Sequence, residues 1–180
     1  MLTQLLAHHI IAENFKPFFY VKVDDDWTQG KKLSFLAHIK QQIGKYYEDS
    51  ISECKLIKRK TLYGFDGGKL HKFMMFKFEN ERAFNKVKNL WFEDKYSHKE
   101  KRKQRRLIPK GYLFDDCFTQ LYEANIPPLL RYFHIKQISP SGWVMVYDYD
   151  CDVPEEPLTT CNYEYICSQR DIVALPEKET

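Results

Sequence analysis

The sequence predicts an α+β fold, with a lobe in the order β-α-β-β-α-β followed by a β-rich segment. Three observations carry that expectation. Short aromatic and β-branched runs such as "PFFYVKV" read as strands. Two stretches repeat apolar residues every three or four positions, the signature of a helix face. Between two strand-like runs stands "DGG" (Asp66–Gly68), which tolerates the positive φ of a tight hairpin. At 180 residues, 43% hydrophobic and 16% aromatic, the chain suits one domain, or one and a piece of a second, and can bury a sizeable core. Seven Gly and eight Pro exclude a linker-dominated chain.

The elements follow in order. The start, "MLTQLLAHHIIAENF", is apolar but short, lacks a basic leader region and carries His8, His9 and Glu13; it reads as an amphipathic helix rather than a signal peptide. Pro17–Val23 reads as the first strand. Leu33, Leu36, Ile39, Ile43 and Tyr46 or Tyr47 then mark one face of a helix running to about Glu48. "ISECKLIKRKTLYGF" loses the helical period and reads as a strand, and "KLHKFMMFKF" is its partner across the turn. Asn80 is an N-cap for a helix marked by Phe84, Val87, Leu90 and Trp91. A basic connection over residues 95–110 leads to "GYLF" (Gly111–Phe114), a short last strand. This order is the ferredoxin-like split arrangement, a sheet with two helices on one face. It divides the chain into a lobe at 1–114 and a second segment at 115–180. In the latter, Phe118, Leu121, Tyr122, Leu129, Leu130 and Phe133 read as a helix interrupted at Pro127-Pro128. "SGWVMVYDYD" reads as a strand, and "CNYEYICSQRDIVAL" holds two more.

A net charge of +3 hides a local asymmetry. Lys95 to Lys110 holds eight Lys/Arg and one acid, whereas Asp148 to Thr180 holds nine Asp/Glu against Arg170 and Lys178. The positive charge is a patch suited to an anion, or a solvated connection, and charge alone does not choose. Five cysteines without CxxC spacing read as reduced, mostly buried thiols of an intracellular protein. No run approaches the roughly 18 apolar residues of a membrane span, so no membrane partner is expected.

Motifs for chemistry are weak. "GFDGGK" has the wrong spacing for a phosphate loop, and Leu70 stands where a Mg²⁺-reaching hydroxyl would follow the lysine. Asp148 and Asp150 share a strand face but have no identifiable third ligand. The six histidines form no recognisable triad. A nucleic-acid reading is stronger. The two middle strands of the predicted lobe carry Phe18, Tyr20, Phe73 and Phe76, and such strands stack bases in RNA-recognition folds. The second of these strands lacks the glycines of that consensus, which favours a core role for the aromatics. Lys55, Lys58, Arg59 and Lys60 add charge beside Tyr63.

Taken together, "PFFYVKV", "LYGFDGGKLHKFMMFKFEN" and "LYEANIPPLLRYFHIKQISPSGWV" resemble the N-terminal region of B-family DNA polymerases, delta-type enzymes of large double-stranded DNA viruses above all. The signature positions are Tyr63 and Gly64, then Tyr122, Glu123, Asn125, Arg131, Gly142 and Trp143, all structural in what the resemblance implies. It spans about Pro17 to Val146.

In that family this region is β-rich, includes an RNA-recognition-like lobe, flanks the template strand and leads into a 3′–5′ exonuclease domain. The exonuclease Asp-x-Glu and the polymerase Tyr-Gly-Asp-Thr-Asp motif are missing here. The resemblance therefore implies a non-catalytic part of a DNA-directed DNA polymerase acting in viral DNA replication, without a cofactor of its own. Mg²⁺ is expected only in the catalytic domains outside the chain. Its implied partners are template DNA and the downstream exonuclease and polymerase domains, in a host nucleus or a cytoplasmic replication site. Lys99, Lys101, Arg102, Lys103, Arg105 and Arg106 are the candidate DNA contacts. The alternative is a stand-alone, non-catalytic DNA- or RNA-binding module with the same fold.

Overall fold

Two hydrophobic cores organise the computed structural model, which describes residues 6–61, 66–97, 102–147 and 151–175. One belongs to a unit of Lys16–Asn125, the other to a unit of Met1–Phe15 with Ile126–Thr180. The expected division after residue 114 is thus displaced, because the strands on either side of it form one hairpin.

Strand β1 (His8–Glu13) lies in the second unit. The larger unit begins with β2 (Phe18–Lys22) and α1 (Gln29–Ile43), followed by the short α2 (Lys45–Glu48). Next come β3 (Ile51–Lys60), β4 (Leu70–Phe78) and α3 (Glu81–Lys88). Strands β5 (Phe92–Ser97), β6 (Arg102–Leu107), β7 (Tyr112–Phe114) and β8 (Cys117–Tyr122) complete it. The main sheet has the order β3-β4-β2-β8-β7, and every neighbouring pair is antiparallel.

Period-two alternation sets the two faces of this sheet. In β2, Phe19 and Val21 are buried while Phe18, Tyr20 and Lys22 are half-buried. Phe19 stands opposite Phe76 of β4, and both rings join Met74 and Phe78 beneath the helices. Helix α1 contributes Phe35, Ile39 and Ile43, and α3 contributes Ala83, Phe84 and Val87. Burying side chains of this size stabilises by about 1.5–3 kcal/mol each. The predicted apolar face of α1 holds at Ile39 and Ile43, with Leu36 and Tyr47 packed against the core, but Leu33 is 59% exposed. Phe35 takes the inward place, because its ring meets Trp27, Phe76 and Trp91.

Caps and turns agree with the sequence. Asn80 accepts from the Ala83 N–H at 2.9 Å, and Thr28 caps α1 through the Lys31 N–H. At the hairpin, Gly67 and Gly68 take positive φ, and Asp66 accepts from the Gly68 N–H. Gly111 is fixed more tightly, at φ +90° with a Cβ position 2.1 Å from the Thr119 carbonyl oxygen. Trp91 Nε1 donates to the same carbonyl at 3.0 Å in the core.

Several expectations are corrected. "CFTQLY", expected to begin a helix, is β8 and lies beside β2; "GYLF" provides only the edge strand β7. Phe118, Leu121 and Tyr122 mimic helical spacing, but sheet pairing and a turn of two positive-φ residues, Asp115 and Asp116, prevail. The basic connection is a two-stranded antiparallel ribbon, β5–β6, rather than a loop.

In the second unit, the predicted N-terminal helix is replaced by β1, which pairs in parallel with β11 (Tyr163–Ser168). Helix α4 (Pro128–Lys136) starts cleanly with a proline in its first turn. Strands β9 (Val144–Met145) and β12 (Val173–Ala174) pair with each other, and β10 (Cys151–Asp152) pairs with β11. Tyr132, Ile138, Cys167 and Ile172 form the buried centre. Instead of five reduced thiols, Cys151 and Cys167 form a disulfide, since directly opposed positions on paired strands lie only 4.6 Å apart at Cα. Cys54, Cys117 and Cys161 are free and half-buried, and burial pushes the Cys54 thiol up to about 12. Among the described residues, no helix is long and apolar enough to cross a membrane.

Candidate nucleic-acid interface

Two features of the larger unit suit a polyanionic strand: the β5–β6 ribbon and the sheet face opposite the helices. At the ribbon's root the register sets acid against base, Glu93 facing Arg106 and Asp94 facing Arg105. Arg105 Nε lies 4.0 Å from Asp94 Oδ1, and both arginines are exposed. Further out, Lys95 pairs with Gln104, Tyr96 with Lys103 and Ser97 with Arg102, so acids are confined to the root among these paired positions. Lys99 and Lys101 lie outside the described residues. On β8, Lys110 Nζ sits 5.9 Å from the centre of the exposed Phe118 ring.

The open sheet face carries a second constellation. Tyr20 of β2 stands directly opposite Tyr122 of β8, and the Phe73 ring of β4 contacts both. Ring centres are 5.3 Å apart for Phe73–Tyr122 and 6.5 Å for Tyr20–Phe73, both edge-to-face. Phe73 is 3% exposed and forms the floor, with the half-buried tyrosines as walls. Arg59, Lys60, Thr61 and Glu123 complete a recess of about 290 Å³. Glu123 has φ +56°, uncommon for a residue other than glycine, and it turns the chain at the recess mouth. Tyr122 and Glu123 also line a neighbouring recess of about 350 Å³ with Leu107, Ile108 and Pro109 at the ribbon's root.

Charged side chains anchor the surroundings. Glu53 on β3 pairs with Lys55 and with Lys77, the latter at 3.1 Å, and its carboxyl is held below the ordinary value chiefly by Lys55. At the β3–β4 turn, His71 Nε2 meets Asp66 Oδ2 at 2.7 Å, and this contact lowers the Asp66 carboxyl. Asp25 is lowered by Lys69, 2.8 Å away, so the turn is pinned to the segment after β2.

The four aromatics expected on the middle strands divide between the faces. Phe76 is core, while Phe18, Tyr20 and Phe73 belong to the open side. Tyr122, a signature position, was not grouped with these aromatics because β8 resembled a helix, although the exposed Phe118 and Gln120 flank the buried Thr119 in strand alternation. Of the signature positions, Tyr63 and Gly64, like the acids Asp148 and Asp150, lie outside the described residues. Tyr122, Glu123 and Asn125 end the larger unit. Arg131, Gly142 and Trp143 lie in the second unit: Arg131 is buried on α4, and Trp143 is 77% exposed just before β9. Among the described residues, no group of His, Cys, Asp and Glu suits a metal ion.

No family model matches the chain. It is 47% identical over 163 residues to a DNA polymerase of Phaeocystis pouchetii virus, which covers 91% of this chain and 15% of that protein. It is 26% identical over 164 residues to a DNA polymerase of Pyramimonas orientalis virus, covering 90% of this chain and 12% of the relative. The corresponding figures for Acanthamoeba polyphaga mimivirus are 23% over 169 residues, 88% and 9%. The chain thus spans 9–15% of the length of these relatives, and what it matches is a fragment of the DNA polymerases of large double-stranded DNA viruses.

Proposed function

We propose that the chain is the N-terminal part of a B-family DNA polymerase of viral DNA replication, flanking the template and bracing the catalytic domains without doing chemistry itself. The observation that carries this reading is the 47% identity to one viral DNA polymerase over 91% of the chain. The sheet order β3-β4-β2-β8, with two helices on one face, supports a ferredoxin-like, RNA-recognition-like lobe. The second unit is the approach to a 3′–5′ exonuclease domain. Its working place is the host nucleus or a cytoplasmic replication site, and Mg²⁺ belongs to the catalytic domains beyond it.

On this reading Arg102, Lys103, Arg105 and Arg106 of the ribbon, together with Lys99 and Lys101 of the same basic run in sequence, meet template phosphates. Each phosphate neutralised contributes about 0.7–0.9 to the log–log salt slope of DNA binding. The test begins with the coding sequence after Thr180, read in frame or in the adjacent frame. It is expected to encode an exonuclease Asp-x-Glu and then a Tyr-Gly-Asp-Thr-Asp motif; their absence overturns the reading. Purified chain supplied with Mg²⁺, deoxynucleotides and primed DNA is expected to extend nothing. Replacing Lys101, Arg102, Lys103, Arg105 and Arg106 with Ser should flatten the salt slope, and an unchanged slope removes the ribbon from the interface.

A further inference from the structure

We infer that the recess between Tyr20, Phe73 and Tyr122 receives one unstacked base of a single DNA strand, with Arg59 and Lys60 serving the adjoining phosphates. This rests on the polymerase reading above and assigns a ligand to a surface that reading does not use. Three rings on the face away from the helices form a floor and two walls. This aromatic surface, flanked by Arg59 and Lys60 and by one carboxylate, Glu123, has the two features that single-strand binding uses: a π-face for the base and positive charge for the backbone. About 290 Å³ lies near the small end of ligand pockets, roughly 300–1,000 Å³. That volume suits a single ring system better than a run of stacked bases. The neighbouring recess shares Tyr122 and Glu123 and leads to Leu107 at the root of the ribbon, so a strand leaving the first recess has a lined path toward the basic element. A base in a duplex is stacked on both sides and cannot enter, so the site selects unpaired DNA. Its recognition is through stacking and tolerates any sequence.

The experiment titrates the 180-residue chain into a 12-nucleotide single strand carrying one central 2-aminopurine, read by fluorescence and anisotropy. Expected results are a change of 2-aminopurine emission on binding and a roughly 5- to 150-fold loss of affinity in Tyr122→Ala. Tyr122→Phe, which keeps the ring, retains both signals, and Tyr122→Leu, which fills volume without a π-face, loses them. The Leu variant covers the case in which Ala loosens the sheet, and each variant's thermal melt reports its folding. Folded Ala and Leu variants that bind like the parent overturn the inference, as does equal dependence on Tyr122 for the matching duplex. Tighter binding of the matching RNA overturns the assignment to DNA. Loss of the recess with the downstream motifs present leaves the polymerase reading standing, whereas missing motifs remove that reading whatever the recess does.

Discussion

The unit of Lys16–Asn125 and the unit built from both ends of the chain are held together by different means. Among the described residues the first gathers sixteen buried residues into one hydrophobic cluster rich in aromatics, whereas the cluster of the second has four. The second compensates with links between distant or facing strands: the parallel β1–β11 ladder, the Cys151–Cys167 disulfide and the Glu164 carboxylate, which accepts from the Leu158 and Thr159 N–H groups. Large apolar side chains also remain exposed there, among them Leu129, Trp143 and Val153. The contrast teaches that burial dominates where apolar area is available, and that cross-links and local carboxylate contacts take over where it is not.

The largest effect that would break this comparison is expected in the aromatic core. Phe19 touches Phe76, Phe78, Phe84 and Trp91, so Phe19→Ala should cost about 3–5 kcal/mol in urea unfolding of the larger unit. A loss below about 1 kcal/mol would show that this cluster does not carry the unit. Next in size is the disulfide, which closes a loop with a sequence separation of 16. Reducing it, or Cys151→Ser, should cost about 3 kcal/mol. Hydrogen exchange should locate that loss in β1, β10 and β11 and leave β2 and β4 protected; equal loss in both units would sink the contrast.

The smallest effect is the response to acid. Asp25 and Asp66 in the larger unit and Glu164 in the second all have carboxyls held below their ordinary values, by Lys69, by His71 and by backbone N–H groups respectively. A depressed carboxyl contributes fully above its unfolded value, 3.8 for Asp and 4.5 for Glu, and loses that contribution as pH falls toward its folded value. Stability should therefore decline from about pH 5 downward. Asp66→Asn should flatten that decline for the larger unit and Glu164→Gln for the second. Urea midpoints against pH distinguish the two, and parallel curves for parent and variants would discard these contacts as stabilising.

Much of the larger unit was legible because its signals are local. "PFFYVKV" declares a strand through alternation, "DGG" a turn through positive φ, and Asn80 a cap through its side-chain carbonyl. What escaped was non-local. "HHIIAE" becomes a strand only because a partner some 155 residues away completes its hydrogen bonds. "CFTQLY" has apolar residues at helical offsets, and only its place between β2 and β7 decides for a strand. The ribbon looked like a solvated charge run because its cross-strand register, which meets Glu93 with Arg106, is invisible along the chain.

The sequence by itself determined the α+β composition, the basic run, the order of the elements from β2 to α3 and the likeness to a viral polymerase fragment. Each is a property of residues close in the chain, or of residue types at fixed offsets. Tertiary structure alone decided that Tyr122 shares a face with Tyr20 and Phe73, that Cys151 meets Cys167 and that the two ends of the chain share one core. These depend on strand register, and a shift of one residue would send every side chain to the opposite face.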